Sequence, residues 1–243
     1  MSDGMYDNVE GITRRQLVLF FLIDTSTSMA GSKISSVNTA IREVIPDLRD
    51  IGGADVEMKI AVMEFSSGCQ WQNPSGPVSV DTFSWSNLSA DGVTDMGAAF
   101  LELNEKLSRN SFLKAPSASL APVIILLSDG MPTDNWKGGL AALKANNWFK
   151  SAVKAALAIG KETDVDVLHE YTGNPDTVVS VNNPGVLRTM IHKVSITSSQ
   201  IGSRSQPLQD GEVVTRQDAL GEEMAVIQQQ PDYTAANSTE DWP

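Results

Sequence analysis

A single cysteine, Cys69, and only two histidines, His169 and His192, occur in a chain of 243 residues. One thiol excludes an internal disulfide framework and any multi-cysteine zinc site, and it points to a reducing compartment, which we read as the cytoplasm. Bases are also scarce: 18 Lys and Arg stand against 30 acids, for a net charge of −12. That deficit argues against nucleic acid or an anionic membrane as the main partner, because phosphate recognition needs a basic patch. It suits the binding of cations. Aromatic residues make up only 6%. Long apolar runs are missing too: Leu17 to Ile23 is seven residues long and stops at Asp24, whereas a membrane span needs about 20. Thr13-Arg14-Arg15-Gln16 before it loosely suggests a twin-arginine export signal, but Asp3, Asp7 and Glu10 spoil the positive start such a signal needs. The run reads as a buried strand. What remains is an ordinary globular composition, 41% apolar and 20% charged, in a chain long enough to bury most of its unfolded surface without staples.

Along the chain, short apolar runs alternate with segments of helical period. Leu17 to Ile23 has the continuous character of a strand buried on both faces of a parallel sheet. From Lys33 to Asp50, Ile34, Val37, Ile41, Ile45 and Leu48 recur at helical spacing, with Pro46 expected to kink or split the helix. Val56 to Phe65 reads as a second strand, and Ser66 to Ala90, rich in Gly, Pro and Ser, as long loops holding a short strand. Met96 to Leu107 is helical, and Pro122 to Leu127 is another buried strand. The Asn146-Asn147 break divides an alanine-rich stretch into a helix from Trp136 to about Ala145 and a strand from Ala152 to Ile159. A strand at Thr177 to Val181 and a helix from Pro184 to about Ile196 complete the pattern. Alternation of this kind predicts an α/β fold with an open sheet of about six mostly parallel strands and helices on both faces. The organisation read from this is an N-terminal extension over 1–14, one domain over 15–200 and a tail over 201–243. The tail holds eight acids and two bases, half of the net charge, with Gln228-Gln229-Gln230 and few large apolar residues. Such a composition predicts disorder, apart from a short helix around Asp218 to Ile227.

In open α/β sheets, sites form at the carboxyl ends of the strands. Three such places here carry oxygen ligands: Asp24-Thr25-Ser26-Thr27-Ser28 after the first strand, Gly92-Val93-Thr94-Asp95 before the helix at Met96, and Ser128-Asp129-Gly130 after the strand from Pro122. Two carboxylates and several hydroxyls from separate loops suit a hard divalent cation, which takes oxygen ligands and keeps water in its shell. Asp95 reads better as a helix cap or supporting residue than as a ligand.

With these residues in hand, the sequence resembles the von Willebrand factor A domains and their metal-ion-dependent adhesion site. Asp24, Ser26 and Ser28 match that site's D-x-S-x-S element, Thr94 its distant threonine and Asp129 its distant aspartate. Around Thr94 the chain has Gly-Val-Thr-Asp where the family often has Gly-Gly-Thr-Asn. The resemblance covers about residues 15–200 and looks closest to small bacterial members found beside tellurite-resistance and stress-response genes. It implies that Ser26, Ser28 and Thr94 offer hydroxyl oxygens directly to Mg2+ (or Mn2+ or Ca2+), while Asp24 and Asp129 act mostly through bound water. It also implies an open position on the metal for an Asp or Glu carboxylate of a partner protein, and hence an interaction module and not an enzyme. The implied settings are a stress-response or tellurite-resistance scaffold working with kinase and phosphatase partners, or an adaptor that brings clients to an AAA+ ATPase.

Competing readings are weaker on the residues. A haloacid-dehalogenase-like phosphatase also places an aspartate after its first strand, within D-x-D, but Ser26 stands where its general acid belongs. Gly31-Ser32-Lys33 lacks the rest of a P-loop. His169 and His192 stand alone on predicted helices without ligand spacing, and Cys69 has no nearby histidine to activate it. Trp71, Trp85, Trp136 and Trp148 read as packing residues, with Trp136 near enough to the Asp129 loop to touch its rim. One sharper idea concerns the tail: Glu222, Glu223, Asp232, Glu240 or Asp241 would be a self-ligand if it reached the metal's open position.

Overall fold

The computed structural model describes residues 14–243 except 52, 115–118, 162, 205–207, 210, 211, 214, 239–241 and 243. Its centre is β1 (Arg15–Asp24), in which Leu17, Leu19, Phe21 and Ile23 face one side and Val18, Phe20 and Leu22 the other. Period 2 sends successive side chains to opposite faces, so a strand that is apolar at every position needs cover on both. That cover comes from two helical layers. On the first face lie α1 (Ser32–Leu48) and α6 (Pro184–Ser203). On the second lie α2 (Met96–Lys106), α3 (Trp136–Ala145), α4 (Asn147–Ser151) and α5 (Val165–Thr172).

The sheet has seven strands. β2 (Val56–Ser66), β1, β5 (Val123–Ser128), β6 (Val153–Ile159) and β7 (Val178–Val181) run parallel in that spatial order. β3 (Gly68–Trp71) and β4 (Val78–Ser79) add antiparallel pairing along the outer edge of β2. The expectation of about six mostly parallel strands therefore holds, with the extra pairing supplied by the stretch expected to be mainly loop. From β1 the chain builds outward to β2 on one side, then crosses back to β5 on the other. That reversal opens a crevice beyond the carboxyl ends of β1 and β5, where Asp24 and Asp129 emerge.

Two local expectations give way. Pro46 does not split α1, because it falls in the last turn, where the helix is already two residues from its end. The helix after Asn183 runs to Ser203, well beyond Ile196, since Ser195, Ser198, Ser199 and Gly202 are small enough to bury against the sheet. A Cβ on Gly202 would lie 2.7 Å from Val123 Cγ2.

Among the described residues of 201–243, a helix over 216–228 coincides with the short one expected around Asp218 to Ile227, and the rest departs from the predicted disorder. Two-residue strands β8 (Leu208–Gln209) and β9 (Glu212–Val213) precede α7 (Arg216–Gln228) and α8 (Pro231–Asn237). Its mean composition is polar, but Leu220 and Met224 are fully buried in the α1–α6 core, and Ile227 and Tyr233 pack against it. Gln217 seals the join by mimicking a strand neighbour: its amide oxygen accepts from Lys154 N (2.8 Å) and its Nε2 donates to Lys154 O (2.8 Å). A few well-placed apolar residues offset the ordering entropy that the average composition cannot. Glu240 and Asp241, two of the suggested self-ligands, lie outside the described residues.

Candidate metal centre

Asp24 is the last residue of β1, and its carboxylate organises the loop that follows. Asp24 Oδ1 accepts from Ser26 N at 2.8 Å, and Oδ2 accepts from Ser128 Oγ at 2.6 Å, tying the ends of β1 and β5 together. The chain is then pinned to the neighbouring strand and loop. Thr25 N and Oγ1 donate to Phe65 O (2.8 and 3.1 Å), Asp91 N donates to Thr25 O (2.8 Å), and Thr27 N and Oγ1 donate to Gly92 O (3.0 and 2.9 Å). Gly92 must be glycine: its φ is +86°, and a Cβ there would meet Ser67 Oγ at 2.5 Å.

Thr94 is fixed by the opposite loop, accepting from Thr133 N at its carbonyl (2.9 Å) and donating its own N–H to Thr133 Oγ1 (3.1 Å). Asp95 is not aimed at the cluster. Its carboxylate accepts from Gly68 N (2.9 Å) and Thr133 Oγ1 (3.3 Å), tying two loops together, and makes no cap bond to α2. The N-terminus of α2 is capped from outside by Asp134, whose two oxygens accept from Gly97 N and Ala98 N, each at 2.8 Å.

These supports bring the five sequence-selected residues together. Ser26 Oγ and Ser28 Oγ are 3.1 Å apart, and Ser28 Oγ donates to Asp129 Oδ1 at 2.7 Å. Gly130 shows how the oxygens converge: a Cβ built on it would lie 3.3 Å from Thr94 Oγ1, 3.7 Å from Ser28 Oγ and 3.9 Å from Asp24 Oδ2. Oxygens from three separate loops thus surround one small volume kept open by the missing side chain. Asp24, Ser26, Thr94 and Asp129 are buried, while Ser28 is exposed and forms the mouth. Burial pushes the Asp24 carboxyl above its usual range, and the Asp129 charge adds to this; hydrogen bonds from Ser128 and Ser26 pull the other way.

The donors, two carboxylates and three hydroxyls, are hard oxygens throughout and fit a small divalent cation. Among the described residues no group of three or more His, Cys, Asp and Glu could hold a metal, so the hydroxyls are indispensable to any such site. One participant escaped the sequence reading. Lys33, in the first turn of α1, places Nζ 2.5 Å from Asp129 Oδ2, and nothing in the surrounding sequence signals this.

Residues 19–193 match the von Willebrand factor type A domain family. The chain belongs to that family. No curated protein matches it. Among solved structures, it is similar to a von Willebrand factor type A protein from Catenulispora acidiphila, with 19% identity and a TM-score of 0.57 over 76% of this chain and 43% of that one. It is also similar to proximal thread matrix protein 1 of the mussel byssus, described with a zinc-occupied MIDAS motif (18% identity, TM-score 0.60, 77% of this chain and 48% of that one). A third is the pilus adhesin SpaC of Lactobacillus rhamnosus GG in its open conformation (14%, 0.58, 76% and 30%). The chain thus spans less than half the length of each, and at these identities the likeness establishes the fold alone.

The remaining candidates in this von Willebrand factor type A domain lie apart from the cluster. Cys69 is half-buried on β3, and burial, with help from Glu102 and Asp95, pushes its thiol up to about 11, which makes a poor nucleophile. His192 Nε2 pairs with Asp47 Oδ2 (2.7 Å) on the outer surface of α6 and α1. Trp136 packs against the α2–α3 core with Lys137 over its ring, and Trp71 and Trp85 bond to Glu102 and Asn38. Asp232 lines a groove between α6 and α8. No helix among the described residues is long and apolar enough to cross a membrane.

Proposed function

We propose that this domain is a metal-dependent protein-binding module, not an enzyme. The single observation that carries the reading is the convergence of Asp24, Ser28 and Thr94 oxygens on the small volume opposite Gly130, with Asp129 bonded to Ser28 at its wall. Ser26, Ser28 and Thr94 would hold the cation directly, and Asp24 and Asp129 through water. A bound divalent cation supplies an electrophilic position that an Asp or Glu carboxylate of a partner protein can fill. Mg2+ suits a small all-oxygen site best, with Mn2+ or Ca2+ as substitutes. Neutral hydroxyl ligands leave the cation's charge unspent, which favours an external anion.

The surroundings support a protein and not a small ligand as partner. Of five large apolar residues exposed among the described ones, Val93 (48%) and Met131 (66%) directly adjoin Thr94 and Gly130. An anionic anchor with exposed apolar side chains beside it has features of an interaction hot spot. Beside the mouth, a polar cleft of about 510 Å³ lined by Thr25, Ser67, Asn87 and Asp91 offers further hydrogen-bonding surface. For the biological setting, the family resemblance supports a cytoplasmic scaffold in a bacterial stress-response or tellurite-resistance system with kinase and phosphatase partners. The alternative is an adaptor for an AAA+ ATPase. Affinity capture from the native host, in Mg2+, in EDTA and with Asp24→Ala, tests all of this. A partner retained only by the wild type in Mg2+ supports the module and identifies its setting, whereas equal capture in all three conditions contradicts it.

A further inference from the structure

The far end of the chain returns to the metal site. α8 is tied to the carboxyl end of β7: Asn237 Oδ1 accepts from Asn182 N (2.8 Å), Asn182 Nδ2 donates to Asn237 O (2.9 Å) and Asn183 Nδ2 donates to Ala236 O (2.7 Å). Asn237 Nδ2 and Tyr233 Oη both donate to Ser180 O, at 2.9 and 2.5 Å. Because β7 is parallel to β5 and β1 through β6, these anchors lie on the same edge of the sheet as Asp24 and Asp129. Five residues after Asn237, Trp242 packs half-buried against the α1–α6 core, and Lys33 Nζ sits 5.8 Å from the centroid of its ring. The same ammonium is the one on Asp129, with the Lys33 side chain only 19% exposed and that of Asp129 fully buried.

We propose that Lys33 is a built-in cation of the metal site, steadied over Asp129 by the indole of Trp242, so that the Lys33–Trp242 pair sets the affinity for the divalent ion. The proposal rests on the metal-site reading above. Its logic is electrostatic. Without metal, Asp24 and Asp129 are two buried carboxylates facing one cluster, and Lys33 supplies the counter-charge they need. A divalent cation entering the cluster claims the same carboxylate charge and is repelled by the ammonium, which must swing toward water. The indole face attracts the ammonium and opposes that swing. Moving the indole away from Lys33 would therefore tighten metal binding, and a bound metal would weaken the Lys33–Trp242 contact by the same factor, since linkage is reciprocal.

Titrating Mn2+ and Mg2+ calorimetrically into the full chain tests this with wild type, Lys33→Met, Trp242→Ala, the double variant and Asp24→Ala. Lys33→Met should tighten binding about tenfold, as removal of one nearby like charge implies. Trp242→Ala should tighten it about threefold in the wild-type background, in line with a cation–π contact, and not at all in the Lys33→Met background. A second readout needs no metal. In chains labelled with 5-fluorotryptophan, the Trp242 resonance, assigned by its loss in Trp242→Phe, should move on Lys33→Met in EDTA. Wild type and Lys33→Met binding equally while Asp24→Ala binds nothing would overturn the role of Lys33 but leave the metal site standing. Equal tightening by Trp242→Ala in both backgrounds, or an unmoved Trp242 resonance, would also overturn it. Binding by none of the proteins would overturn both readings.

Discussion

Lys154 is a charged residue in a place that does not favour charge, and its removal should stabilise the protein without touching the metal site. It lies at the amino end of β6, the opposite edge of the sheet from Asp24 and Asp129, and is 8% exposed. Its ammonium donates to Ala152 O (3.0 Å) and Phe149 O (3.3 Å) and lies 5.2 Å from the Phe149 ring centroid. Burial lowers its pKa from 10.5 to about 8. The folded state therefore releases this proton more readily than the unfolded state. Between pH 8 and 10.5 the unfolded chain binds more protons, so stability rises with pH across that window; below pH 8 both states are protonated and the full penalty stands. A shift of this size corresponds to about 3 kcal/mol at neutral pH. Lys154→Met removes that penalty but leaves two carbonyls without their donor, at about 1 kcal/mol each, for a net gain of about 1–2 kcal/mol. Urea denaturation of both proteins from pH 7 to 9.5 measures this. The wild type should close the gap by about 2 kcal/mol as pH rises, and parallel stability profiles would refute the reasoning.

Three further perturbations test other links. Gly130→Ala places a methyl group 3.3 Å from Thr94 Oγ1 inside the oxygen cradle; calorimetry should show Mn2+ affinity lowered at least tenfold, about 1.4 kcal/mol, with thermal stability nearly unchanged. Met224→Ala should destabilise the fold by about 2–4 kcal/mol, as expected for a filled core position, and a denaturation midpoint equal to wild type would show that α7 adds nothing to the core. Gly202→Ala forces a Cβ to within 2.7 Å of Val123 Cγ2, so α6 must shift away from the sheet; a loss of about 1–3 kcal/mol on thermal melting is expected.

The parallel sheet was legible in the sequence because its strands are buried on both faces, which leaves uninterrupted runs such as Leu17 to Ile23 and Val123 to Leu127. The site residues were legible for a related reason: polar side chains immediately after such runs stand out, and Asp24 and Asp129 do so at adjacent strand ends. In the 201–243 segment the helix around Asp218 to Ile227 was legible, but its docking and α8 were not, because average composition hides position. Leu220 and Met224 are four residues apart and so share a helix face, which docks α7 together with Ile227 and the bonds of Gln217 to Lys154. Lys33 and Trp242 lay beyond pattern reading altogether. Nothing local marks a lysine in the first turn of α1 as the partner of a carboxylate 96 residues away. Nor does the sequence show that Trp242, 209 residues away, would lie beside it.

The central claim is that Asp24, Ser26, Ser28, Thr94 and Asp129 form one cation site. Anomalous diffraction from crystals grown in Mn2+, with Asp24→Ala crystals as the control, tests it most directly. The account predicts a manganese peak among these five residues in the wild type, bonded to the Ser26, Ser28 and Thr94 hydroxyls, and no peak in the variant. A well-ordered wild-type site without manganese, or manganese held elsewhere with the cradle unchanged, would contradict it.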